Sequence, residues 1–119
     1  MAIMVASLGF ILLGGVFVCA GTEHFWNFRM VSGMLADKGL PAAQGLLALG
    51  SVVEIVAGLC LAMGVMRPYA AVALILFTIA ASLMALNFWR YSGMERQALR
   101  SAFIINVAVV GSLLLAATA

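Results

Sequence analysis

Apolar residues fall into four long runs, at residues 3–21, 42–66, 69–89 and 101–118, and the charged residues gather in the stretches between them. A bilayer-spanning helix needs roughly 20 consecutive apolar residues, so four spans and short connections use almost the whole chain. The pattern predicts an all-α integral membrane four-helix bundle, a single transmembrane domain over residues 1–119, with spans at those four runs. Residues 22–40 are different in kind: Glu23, Arg29, Asp37 and Lys38 alternate with Phe25, Trp26, Phe28, Met30, Val31, Met34 and Leu35. That mixture is too polar to span, and predicts a helical continuation or an amphipathic interfacial segment at headgroup level between the first and second spans.

Punctuation supports these boundaries. Gly39-Leu40-Pro41 closes the interfacial segment, because Gly tolerates a left-handed stop and Pro loses no useful N–H in a first helical turn. Arg67-Pro68 makes a tight connection between the second and third runs. Residues 91–100, the most charged decade of the chain, separate the third from the fourth. Along the first run Ser7, Gly14 and Gly21 recur every seven residues, a stripe of small residues that lets helix backbones approach closely where lipid removes the hydrophobic drive to associate.

The second run carries one carboxylate, Glu54, near its middle. A lone acid at that depth costs several kcal/mol unless it is protonated, paired or wetted, so the neighbouring spans must accommodate it. At helical spacing its face also bears Leu47, Ser51, Gly58 and Leu61. With a rise of 1.5 Å per residue, Glu54 lies about 18 Å below the start of its span, and Thr78 and Ser82 lie roughly 11–17 Å below the end of theirs. These three can share a layer, with Asn106 a turn or two nearer the loops. On the same membrane face the sequence gathers His24, Asn87 and Ser101, while Trp26, Trp89, Arg29 and Arg90 read as interfacial anchors. Glu54, His24, Ser51, Thr78, Ser82 and Asn106 are therefore the expected ligand or proton site. A structural role for Glu54, fixing bundle geometry, fits the same spacing.

Composition narrows the function classes. The 119 residues are 66% hydrophobic and 8% charged, against about a quarter charged in soluble domains, which leaves no room for a soluble catalytic domain. Six basic and four acidic residues give a net charge of +2 without a basic stripe, which excludes a nucleic-acid partner. The absence of Lys or Arg from residues 1–13 reads as a retained first span rather than a secretory signal. Cys19 and Cys60 differ in depth by very roughly 20 Å on antiparallel spans, too far for a bridge. One His is too few for haem or copper, and no metal site is expected. No phosphate-binding loop, flavin fingerprint or Ser-His-Asp arrangement is present. Arg29, Lys38, Arg90, Arg96 and Arg100 fall in the first and third loops and Arg67 opposite them. The positive-inside rule then puts those loops in the cytoplasm and both termini outside.

Gly21 followed by His24-Phe25, Gly39-Leu40-Pro41, Glu54-x-x-x-Gly58-Leu59 with Gly64 and Arg67, Phe88-Trp89, and Phe103 with Asn106 and Gly111 resemble the DoxX family in order along the chain. The resemblance implies a multi-pass protein of a bacterial inner membrane, in a family named from the membrane subunit of a thiosulfate:quinone oxidoreductase. It carries Glu54, His24, Trp89 and Asn106 over as motif positions without assigning them roles. It implies a membrane subunit or accessory protein of a quinone-linked redox complex, inactive as an isolated chain. Its partners would be the lipid bilayer and other protein subunits or further copies of itself, with quinone or lipid as ligand and no covalent or metal-ligated cofactor. Two other classes stay open: a small proton-coupled transporter using Glu54, and a structural anchor of a larger complex.

Overall fold

The computed structural model describes residues 1–118. The described residues form five α-helices and one 3-10 turn: α1 (Ala2–Trp26), α2 (Phe28–Asp37), α3 (Ala43–Met63), α4 (Arg67–Ala85), η1 (Phe88–Arg90) and α5 (Gly93–Thr118). Four of the helices are long and apolar enough to cross a membrane, and α2 is the short segment between the first two spans. Their outward faces are studded with exposed Ile3, Leu12, Val16, Leu49, Leu76 and Leu115, which a hydrocarbon solvent covers without penalty. The molecule is a multi-pass membrane protein.

Helix ends depart from the expected span limits in several places. Nothing after Gly21 stops α1, and Thr22 donates from Oγ1 back to the Val18 carbonyl at 2.8 Å, so the helix runs on to Trp26 and bends only at Asn27. The charged decade is no loop beyond Ser92. Glu95 sits in the first turn of α5, where a carboxylate complements the helix dipole, and Gln97, Ala98, Leu99 and Arg100 are good helix formers. The α-helix of the third run stops at Ala85, short of the expected Trp89, and Phe88–Arg90 form a separate 3-10 turn. Pro41 precedes the N-cap of α3, Ala42, and is not in its first turn. Gly64 ends α3 in the left-handed region at φ 79°, and the Val65 N–H reaches back to the Cys60 carbonyl at 2.9 Å, a glycine-terminated cap.

The bundle is a row in which α1 packs on α3, α3 on α4, and α4 on α5, while α2 lies across the start of α3. The first contact is backbone to backbone. A methyl group on Gly14 would stand 2.3 Å from the Gly58 carbonyl oxygen, and one on Gly58 would stand 2.7 Å from that of Gly14. The expected small-residue stripe of α1 thus meets the expected small-residue face of α3. Toward the end where α3 turns into α4, the interior is wholly apolar: Phe10, Leu61, Leu74 and Leu113 close it, the three leucines fully buried. Arg67 staples this end, its guanidinium 3.7 Å from the centre of the Phe10 ring and its Nε donating to the Leu61 carbonyl at 3.4 Å.

Gly14→Ala should lower the melting temperature of the detergent-solubilised protein, by roughly 1–3 kcal/mol of stability, although alanine is the better helix former. Gly9→Ala introduces a methyl that meets nothing within 4 Å and should leave stability unchanged or raise it by up to ~1 kcal/mol. Equal behaviour of the two variants in thermal unfolding contradicts the α1–α3 contact.

Candidate functional site

The polar residues occupy the opposite end of the bundle. The face of α3 anticipated from helical spacing is the buried one: Leu47, Ser51, Glu54, Gly58 and Leu61 all lie inside, with Glu54 2% exposed. Against it α1 again comes close. A methyl on Gly21 would lie 2.8 Å from the Ser51 carbonyl and 3.2 Å from Glu54 Cβ, so only glycine lets the α1 backbone lie over the carboxylate's stem. One turn further along α1, His24 swings in, and its Nδ1 stands 2.8 Å from Glu54 Oε1.

This contact has ion-pair length but not the alignment of a directed hydrogen bond, and neither Nδ1 nor Oε1 has another protein partner. The two side chains differ in access: 32% of His24 is exposed and 3% of Glu54. The imidazole is therefore the door to the carboxyl. Ser51 Oγ and Thr78 Oγ1, both buried, also lack a hydrogen-bond partner. Buried polar groups without partners are uncommon and expensive, and here Ser51 is one helical turn from Glu54 on the same buried face of α3. Ser51 has no base bonded to its hydroxyl, which removes the usual activation of a serine nucleophile. Among the described residues, no three His, Cys, Asp or Glu side chains are grouped as metal ligands.

Ser82 and Asn106 form a separate pair. Asn106 Nδ2 donates to Ser82 Oγ at 3.0 Å while Ser82 Oγ donates to the Thr78 carbonyl at 2.7 Å. These residues join α4 to α5 and satisfy each other, and neither bond involves Glu54. Trp26 and Trp89 are exposed, as are Arg29 and Arg90, in keeping with interfacial positions at the ends of their helices. Cys19 and Cys60 are both free thiols.

Two residues that the sequence marks only as loop charge and helix glue prove to be joined. Lys38, just past α2, donates from Nζ to the Ala85 carbonyl at 2.9 Å and to Asn87 Oδ1 at 2.8 Å, and its ammonium lies 5.1 Å from the centre of the Tyr91 ring. It thus caps the C-terminus of α4, where orphan carbonyls and the helix dipole favour a cation. Asn87 is 7% exposed. No local pattern announces a bond across 47 residues of sequence.

A bundle of four apolar spans with an imidazole set against a buried carboxyl defines a small polytopic membrane protein. The chain belongs to the DoxX family, whose pattern matches residues 6–87. No curated protein and no solved structure matches the chain. The matched stretch contains His24, Ser51, Glu54, Thr78 and Ser82, whereas Trp89, Phe103, Asn106 and Gly111 lie beyond it.

A double-mutant cycle of His24→Ala and Glu54→Gln should return a coupling of roughly 1–3 kcal/mol in thermal stability, because the two groups are in contact and one of them is buried. Exposure of the ring keeps the value toward the lower end. Additive effects of the two substitutions count against the pair. Lys38→Met should destabilise by roughly 1–2 kcal/mol through loss of the α4 cap, and Asn87→Ala should add little on top of it.

Proposed function

We propose that this DoxX-family protein is a membrane subunit or accessory protein of a quinone-linked redox complex, and that it lends the His24–Glu54 end of its bundle to a quinone-like head group. The observation that carries the reading is the pair itself: a buried carboxyl reached through a one-third-exposed imidazole, with partnerless Ser51 Oγ and Glu54 Oε1 behind it. A quinone carbonyl accepts a hydrogen bond and a quinol hydroxyl donates one. A side-chain pair that can hold or release a proton between Nδ1 and Oε1 suits both states of such a ring. No redox group is furnished by the side chains described, so electrons would come from or go to a partner subunit. The pair lies near the end of α1 and midway along α3, a position that a ring carried on a lipid-soluble tail would reach from within the bilayer.

A second reading has its own support. A nine-tenths-buried acid that communicates with one face through a titratable ring is what a proton-coupled transporter needs. Proton release on substrate binding that vanishes in Glu54→Gln favours transport over the subunit reading.

Purification from native membranes in mild detergent, followed by mass spectrometry of the extract and of co-purifying proteins, tests the proposal. The wild type should retain quinone and recover an oxidoreductase in stoichiometric amount. His24→Gln and Glu54→Gln should each retain roughly tenfold less quinone, the loss of one charge-assisted hydrogen bond, while the partner still co-purifies. A solitary chain with no bound quinone, or quinone retained equally by both variants, overturns it.

A further inference from the structure

Away from His24 and Glu54, the chemistry left uncommitted lies at the corner where α4, η1 and α5 meet. Phe88, Trp89 and Phe103 pack edge to face there, with ring centres 5.4–6.2 Å apart. Three arginines lie on the same elements as this triad: Arg90 in η1, and Arg96 and Arg100 one helical turn apart near the start of α5. All three are exposed, and Arg96 stands 5.9 Å over the Phe88 ring. None has a carboxylate within ion-pair distance, since His24–Glu54 is the single such contact among the described residues. Phe103 of the triad also walls a crevice of about 90 Å³ between α4 and α5, together with Ile79, Leu83, Val107 and Val110. Ser82 and Asn106, which also border it, are bonded to each other, so the crevice has no polar demand of its own.

We infer that this corner binds an anionic phospholipid, the phosphate on Arg96 and Arg100 and the upper part of one acyl chain in the crevice beneath Phe103. Side chains four apart on a helix are neighbours, and two guanidinium forks at that spacing can share the oxygens of one phosphate. Aromatic rings mark the level at which headgroup gives way to hydrocarbon. The crevice then continues along successive turns of α5, through Phe103, Val107 and Val110, in the direction an acyl chain runs. An acidic protein segment would satisfy the arginines and leave the crevice unfilled. The lipid uses both, which decides between them.

The full-length protein in a neutral detergent, titrated separately with dioleoyl phosphatidylglycerol, dioleoyl phosphatidylcholine and inorganic phosphate, provides the test, read by native mass spectrometry and melting temperature. Phosphatidylglycerol should remain bound at a roughly tenfold or lower concentration than phosphatidylcholine, and inorganic phosphate should neither stabilise the protein nor displace the lipid. Arg96→Gln/Arg100→Gln should erase the preference for the anionic lipid, while the lipid-free melting temperature stays within a degree or two because both side chains are exposed. Val107→Phe, which fills the crevice, should weaken both lipids. Three results overturn the inference: equal retention of the two lipids by the wild type, phosphate alone reproducing the effect, or Arg29→Gln removing the preference as fully as the double variant. The last outcome would mean diffuse attraction to a positive face.

Discussion

The backbones of α1 and α3 touch at Gly14 and Gly58, and the rest of the polar end depends on that touch. Inside a membrane, lipid is as apolar as the helices, so association rests on packing and a few hydrogen bonds. Two helices that meet without intervening side chains have little freedom to slide or roll. Gly21 extends the contact toward the loops, laying α1 over the Ser51 carbonyl and the Glu54 stem, and His24 follows one turn later. A slip of one residue between the helices moves a side chain by 1.5 Å and rotates it by about 100°, enough to remove the imidazole from the carboxyl. The His24–Glu54 distance is therefore a property of the glycine contact as much as of the two residues themselves.

That contact joins two unlike halves. At the α3–α4 turn the interior is leucine, phenylalanine and alanine, clamped by Arg67 lying on Phe10. At the other end it is Ser51, Glu54, Thr78 and Ser82, three of them with atoms that lack a protein partner. The dry half can be tight because it has no polar group to satisfy. The polar half holds its unpaired groups in place because the dry half already fixes the helices, which is how strained or unsatisfied groups persist in functional sites.

Much of this was legible in the chain. Four apolar runs gave four spans, the i, i+3, i+4 spacing around Glu54 gave the buried face of α3, and the Ser7-Gly14-Gly21 repeat gave the stripe that α3 packs against. The pairing of Glu54 with His24 was not, because residues 22–40 fit either a continuation of the first helix or a separate interfacial segment, and only the continuation to Trp26 carries His24 round to the face of α1 that meets Glu54. The depth argument grouped Glu54 with Thr78 and Ser82, since rise along an axis says nothing about rotation around it, and Ser82 faces Asn106 instead. Lys38 and Arg67 looked like loop charges because their partners, the Ala85 carbonyl and the Phe10 ring, are distant in sequence or carry no charge to match.

The Lys38 bond to Ala85 and Asn87 also has a bearing on how the protein is made. During synthesis α1, α2 and α3 emerge and can pack while the carbonyl that receives the Lys38 ammonium is still 47 residues away. The residues of the His24–Glu54 pair are both synthesised before α4, but α2 gains its Lys38 bond to α4 only after α4 has been made. For that interval α2 is held by its packing on α3 and α1, and the Lys38 bond then adds a side-chain hydrogen bond that ties this segment to α4.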